Sequence, residues 1–153
     1  FLIAPAPPEP TSPPNTIVTL RPLLRRVVHT FELQNRHRQI AVHVPPDIPF
    51  VWGDAPRIQE VLANLVDHAL RLSAPGSRVT ITPEERGNWV AITISARPAA
   101  ARPLGEPPAL ALQLAGATAR ALGGELSHTD DPQAGTCFLF TLRAVAGARD
   151  GAE

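Results

Sequence analysis

Five polar residues in one stretch of the sequence are spaced so that they would gather on a single face of a helix. Within residues 54–73 these are Glu60, Asn64, Asp67, His68 and Arg71. At about 100° per residue they lie opposite the apolar positions of the same stretch, which are Ile58, Val61, Leu62, Leu65, Val66, Ala69 and Leu70. Carboxylate, amide, imidazole and guanidinium groups can form hydrogen bonds to a ligand. The pattern therefore predicts either a ligand-lining helix face or a face that simply meets water.

The ends of this stretch carry the signals of a helix. Asp54 is suited to accept hydrogen bonds from the free N–H groups of the first turn, and Pro56 lies just inside it. Pro75 and Gly76 end the pattern. A helix with one apolar face can pack on a sheet while its polar face remains available to a ligand.

The remaining elements follow from apolar periodicity and from turn residues. Helices are predicted over 20–34 and 109–122, a strand over 39–44, and two hairpins, 78–82 with 89–95 and 125–129 with 136–143. A short segment over 50–52 leads into the central helix. Gly123 and Gly124 end the last helix. This order predicts an α+β fold, a two-layer α/β sandwich in which three helices cover one face of a mostly antiparallel sheet.

The domain organisation follows from the distribution of proline and of small residues. Residues 1–15 are predicted to be a proline-rich linker, 16–143 one domain, and 144–153 a flexible tail. A proline-rich docking ligand is the alternative interpretation of residues 1–15.

Composition narrows the classes of partner. Lysine plus arginine and aspartate plus glutamate both number 14, so the formal net charge is zero and no nucleic-acid partner is expected. No apolar run approaches the ~20 residues of a membrane span, so we expect no direct membrane contact. The one cysteine, Cys137, has no partner for a disulfide within the chain, which favours a cytoplasmic location. The five histidines show no metal-ligand spacing, and no metal site is predicted.

Four short motifs occur in an order typical of one protein family. They are Asp54-Ala-Pro-Arg-Ile58, Asn64-Leu-Val-Asp-His68-Ala69, Ala121-Leu-Gly-Gly-Glu-Leu126 and Gly135-Thr-Cys-Phe-Leu-Phe-Thr-Leu142. Over roughly residues 16–143 the chain resembles the ATP-binding domain of sensor histidine kinases, which belongs to the gyrase, Hsp90-type and MutL ATPase group. The resemblance implies a Bergerat-like fold.

The chain departs from this family at positions that the family uses for nucleotide. His68 stands where the family has a magnesium-binding asparagine, and a neutral imidazole suits that hard cation poorly. Ala96 and Pro98 replace the aspartate and first glycine of the adenine-binding Asp-x-Gly-x-Gly loop. Pro107 and Pro108 replace part of a glycine-rich phosphate loop, where proline offers no N–H. Residues 97–108 also leave no room for the family's nucleotide lid.

The resemblance and these departures together imply a degenerate domain. It would have lost nucleotide binding and would act as a scaffold or docking module in bacterial two-component phosphorelay signalling, with no catalytic residue of its own. Only a weak remnant of the site is expected, at Glu60, Asn64, Asp67, His68 and Arg71. No cofactor is then needed, and the expected partners are a helical dimerisation domain of the parent chain and a response-regulator receiver domain. The alternative is a working histidine kinase domain that binds ATP and Mg²⁺ through an atypical site.

Overall fold

Three helices and a seven-stranded sheet make up the part of the chain that the computed structural model describes, residues 16–34, 39–73, 78–96, 110–131 and 135–149. The helices are α1 (Leu20–Gln34), α2 (Ala55–Leu72) and α3 (Leu110–Ala121). The strands are β1 (Thr16–Val18), β2 (Gln39–Val42), β3 (Pro49–Gly53), β4 (Arg78–Arg86), β5 (Trp89–Ala96), β6 (Glu125–Asp131) and β7 (Gly135–Arg149). The predicted α+β class is confirmed.

Helix α2 forms where the periodicity predicts it. The Asp54 side chain caps its first turn, accepting a hydrogen bond from the Arg57 N–H at 3.2 Å. At the other end the Ser73 hydroxyl donates to the Leu70 carbonyl at 2.9 Å. The seven apolar positions of the helix are all buried. The predicted stop at residues 75 and 76 lies outside the described residues.

The sheet has the strand order β1-β3-β7-β5-β4-β2, and β6 also pairs with β7. Every pairing is antiparallel except that of β2 with β4. These two strands are not joined by a hairpin: β3 and α2 lie between them in the chain and form the crossover that a parallel pair requires. Hairpin patterns predict only antiparallel neighbours, so the parallel pair is an addition to the sequence prediction.

The core lies between the helices and one face of the sheet. Alternate residues of β5 and β7 pair across the two strands, as in Ile92 opposite Phe140 and Ile94 opposite Phe138. All four are buried, and they belong to the same apolar cluster as the inner face of α2. In the described part of the chain no helix has the length and apolar character that a membrane crossing requires.

Two parts of the sheet differ from the sequence prediction. The sequence pattern does not predict strand β1. Strand β7 continues to Arg149, so it includes the first six residues of the segment predicted as a flexible tail. The reason is pairing at a distance in sequence, since β3 pairs with β1 on one side and with the distal half of β7 on the other. The tail prediction is therefore wrong for residues 144–149. The linker at 1–15 and residues 150–153 lie outside the described residues.

Candidate functional site

The five predicted site residues share the polar face of α2, as their spacing requires. None is buried: Glu60 and Arg71 are exposed, and the other three are half-buried. The Arg71 guanidinium forms an ion pair with the Asp67 carboxylate, with 3.1 Å between nitrogen and oxygen. This pair joins positions i and i+4 in solvent and contributes only about 0.3–0.5 kcal/mol to stability. Its consequence is that Arg71 already has an anionic partner within its own helix.

His68 lies between these charges on the same face. Burial lowers the pKa of its imidazole below the ordinary value of 6.5, and the positive charge of Arg71 lowers it further, while Asp67 acts in the opposite direction. The side chain is therefore neutral at pH 7. A neutral imidazole at this position could accept or donate one hydrogen bond, but it suits Zn²⁺ or Cu²⁺ better than Mg²⁺.

Ala96 is the last residue of β5 and lies at the edge of the core. It is 4% exposed and pairs with Val79 of β4 and Thr136 of β7. Its methyl group can accept no hydrogen bond, so this position offers nothing to the amino group of a base. Pro98, Pro107 and Pro108, the other three departures from the family pattern, lie outside the described residues.

Other candidate chemistry is weak in the described part of the chain. No group of three or more histidine, cysteine, aspartate or glutamate side chains there could hold a metal ion. Cys137 is half-buried, and burial raises the pKa of its thiol. The thiol is therefore protonated at neutral pH, which does not suit a nucleophile.

Helix α3 presents two large apolar side chains to solvent. Leu110 is 67% exposed and Leu114 is 58% exposed. Being four residues apart, they adjoin each other on the helix surface. We call this pair the α3 leucine patch. The helical periodicity of the sequence did not single it out, because the apolar residues of α3 surround much of the helix.

A cleft on the sheet is a second feature that the sequence pattern missed. Its volume is about 620 Å³, and its lining includes Pro49, Trp52, Asn88, Trp89, Arg143 and Ala144. We call it the tryptophan cleft. A smaller cavity of about 270 Å³ lies where α3 meets β6. The five predicted residues of α2 line neither space.

Comparison with known proteins identifies the fold and the family. The sequence pattern of the family described as "Histidine kinase-, DNA gyrase B-, and HSP90-like ATPase" matches residues 53–146. Over 81 residues, 51% of the chain, the sequence is 33% identical to the adaptive-response sensory kinase SasA of Synechococcus elongatus. Over 139 residues, 80% of the chain, it is 27% identical to the sensor protein TorS of Escherichia coli. The aligned regions make up 21% of SasA and 15% of TorS, so the chain spans only a small part of each relative.

Solved structures give the same fold. The nucleotide-free catalytic domain of the histidine kinase ThkA superposes with a TM-score of 0.72 and 21% identity, covering 84% of this chain and 96% of that one. The mycobacterial sensor histidine kinase MprB superposes with a TM-score of 0.70 and 18% identity, covering 85% and 97%. At these identities the likeness establishes architecture and leaves the chemistry of the site to be argued from this chain.

Proposed function

The chain belongs to the histidine kinase-, DNA gyrase B- and HSP90-like ATPase family, and we propose that it is a histidine kinase ATPase-like domain that no longer binds nucleotide. The observation that carries the proposal is the buried Ala96 at the end of β5. By the resemblance, this is the position of the aspartate that holds adenine. A methyl group there removes the acceptor on which recognition of the base depends.

The polar face of α2 supports the same conclusion. By the resemblance, His68 replaces a magnesium-binding asparagine and Arg71 replaces a lysine that contacts phosphate. The first is a neutral imidazole, and the second is paired with Asp67 at 3.1 Å. Each lost charge-assisted contact costs about 1.5–3 kcal/mol. By the resemblance, the adenine anchor, the metal contact and the lid are all missing, and these three losses together would move a micromolar Kd to the millimolar range or beyond.

A domain without nucleotide can still serve as a docking module. The α3 leucine patch supports this role, because adjacent exposed leucines on a helix suit the apolar face of a partner helix. We propose that this partner is a helical dimerisation domain of the parent chain and that this domain lies in the cytoplasm, in a parent protein that is either soluble or anchored in a membrane. A response-regulator receiver is the second partner that we propose, and we expect neither ATP nor Mg²⁺ as a cofactor.

Thermal unfolding in the presence of MgATP tests the loss of nucleotide binding. With a Kd of about 10 mM, 1 mM MgATP would add less than ~0.1 kcal/mol to the free energy of unfolding, whereas a Kd of about 10 µM would add ~2.7 kcal/mol. For a domain of this size the second case corresponds to a rise in Tm of roughly 5–11 °C. We expect no measurable rise.

The control is the same titration on a nucleotide-binding member of the family, and on this chain with EDTA in place of Mg²⁺. A concentration-dependent, magnesium-dependent rise of several degrees in this chain would refute the proposal. It would favour instead a working kinase domain with an atypical site, in which Asp67 or His68 acts with Asn64 and Arg71. The names of the relatives, which are sensory kinases, make this the alternative to exclude.

Hydrogen exchange in the parent protein tests the docking role of α3. We expect the amides of α3 to be more protected in the parent than in this chain alone, and a Leu110→Ser/Leu114→Ser variant to lose that extra protection. Leu33→Ser is the matched control, because Leu33 is 62% exposed on α1. Equal protection in the parent and in the isolated chain would contradict docking through the α3 leucine patch.

A further inference from the structure

The tryptophan cleft contains both tryptophans of the chain. Trp52 follows Val51 in β3, and Trp89 precedes Val90 in β5, and both valines are fully buried against the helices. Because neighbouring residues of a strand point to opposite faces, the two indole rings lie on the sheet face turned away from the helices. The cleft is therefore separate from the polar face of α2.

Strand β7 separates the two rings. Arg143 of β7 pairs in register with Trp89, and its guanidinium carbon lies 5.6 Å from the centre of the Trp89 ring. On the other side of β7, Ala144 is the pairing partner of Val51, the neighbour of Trp52. Neighbouring strands are about 4.8 Å apart, so the floor of the cleft spans β3, β7 and β5 over about 10 Å.

The lining suits a proline-rich peptide better than a charged ligand. Indole rings provide flat apolar surface and N–H donors, and grooves of this kind bind the polyproline II conformation. Asn88 and Arg143 add side-chain donors for the free backbone carbonyls of such a peptide. Glu85 lines the same cleft, so its lining includes one acidic and one basic residue. A ligand that offers proline rings and carbonyl groups fits this lining.

The chain itself contains such a segment directly before β1 in the sequence. Residues 1–15 hold six prolines, Pro5, Pro7, Pro8, Pro10, Pro13 and Pro14. With three residues per turn of polyproline II, Pro7, Pro10 and Pro13 would share one face. The segment leads directly into β1, where Ile17 pairs in register with Trp52. At about 3.1 Å per residue it extends to roughly 45 Å, several times the width of the cleft.

We propose that the tryptophan cleft is a binding site for a proline-rich peptide in the polyproline II conformation, and that residues 1–15 of the same chain occupy it. The second proline-rich stretch, residues 97–108, suits the cleft less well. It leaves β5 at Ala96, and Trp89 is the first residue of that strand. At about 3.3 Å per residue the exit point is roughly 23 Å from Trp89.

Intrinsic fluorescence of the full chain tests the proposal. Trp52 and Trp89 are the only tryptophans and the chain has no tyrosine, so emission reports on the cleft alone. The test variant is Pro7→Gly/Pro10→Gly/Pro13→Gly, and its matched control is Pro98→Gly/Pro103→Gly. The measurement is quenching by acrylamide, whose constant rises when the rings become more accessible.

We expect the test variant to show a larger quenching constant and red-shifted emission, and the control to match the wild type. Because residues 1–15 are joined to β1, their effective concentration at the cleft is in the millimolar range. With a Kd of about 1 mM for the cleft, they would occupy it about half the time. Removal of the occupant should then raise the quenching constant about twofold. A synthetic peptide of residues 1–15 at several mM should restore the wild-type value in the test variant.

Three outcomes would overturn the proposal. The first is an equal quenching constant in wild type and test variant. The second is a rise in the control variant of the same size, which would point to residues 97–108. The third is a wild-type constant that falls as the protein concentration rises, which would identify the occupant as a second copy of the chain.

Discussion

Two adjacent glycines at the end of α3 are expected to respond very differently to alanine. Gly123 has φ of +89°, and no atom lies within 4 Å of the position that a Cβ would take. At Gly124 a Cβ would collide with the backbone carbonyl oxygen of Thr141 and would lie 2.8 Å from its carbonyl carbon. Gly123 is therefore needed for its backbone conformation, and Gly124 for the close approach of β7.

The magnitudes follow from these two causes. Gly123→Ala forces an L-residue into the left-handed region, which costs about 1–2 kcal/mol. Gly124→Ala is an overpacking change against the backbone of a paired strand, which cannot move aside as a side chain can. We therefore expect at least about 3 kcal/mol, the upper end for such changes. In a domain of this size each kcal/mol lowers Tm by roughly 2–4 °C, so Gly124→Ala should lower it by at least ~6 °C.

Urea unfolding followed by far-ultraviolet circular dichroism measures both variants at constant m-value. Asparagine separates the causes further, because it tolerates the left-handed region but not the collision. Gly123→Asn should cost less than Gly123→Ala, and Gly124→Asn should cost at least as much as Gly124→Ala. If the two alanine variants lose equal stability, the contact between Gly124 and β7 is wrong as described.

Two further predictions concern α2. Because the pKa of His68 is lowered in the folded state, the free energy of unfolding should be highest above pH 6.5 and should fall as the pH drops from 6.5 towards the lowered pKa. His68→Asn should remove this fall in the free energy of unfolding, whereas a variant with the exposed His29 replaced by asparagine should still show it. Urea titrations between pH 5 and 8 measure both variants. The same pH dependence in the two variants would contradict the burial of His68. Asp54→Ala should cost about 1 kcal/mol because the Arg57 N–H loses its acceptor at 3.2 Å, and Asp54→Asn should cost less. A Tm of Asp54→Ala equal to that of the wild type would show that the cap contributes nothing.

The elements with strong local signals were predictable from the sequence. The apolar periodicity of α1 and α2 and the turn at Gly87-Asn88 depend on neighbouring residues alone, and the structure confirms them. Strand β1 is β-branched throughout but has only three residues, too few for an alternating pattern, and residues 144–149 are mostly alanine and glycine, which are depleted in strands. Both become strands because β3 lies between them. Propensity cannot reveal a pairing partner that is distant in sequence.

The two sites also differ in whether they depend on neighbouring residues or on segments that are distant in sequence. The polar face of α2 follows from helical spacing, and its part in nucleotide binding stays a prediction. The tryptophan cleft depends on the register of three strands from separate parts of the chain, among them the pairing of Trp89 with Arg143. No spacing rule brings Trp52 and Trp89 together, since 37 positions separate them in sequence. Only the sheet order does so.

The pairing of β1 with β3 has a consequence for how the domain can be divided. A fragment cut to residues 53–146, the range of the family match, would lose β1, α1 and β2 and nearly all of β3. A fragment that starts at α1 would keep β3 but remove β1, which exposes the edge of β3 from Val51 to Gly53 and leaves the N–H and C=O groups directed at β1 unsatisfied. Such an edge is a template for self-association. The smallest piece that stays monomeric should therefore begin no later than Thr16.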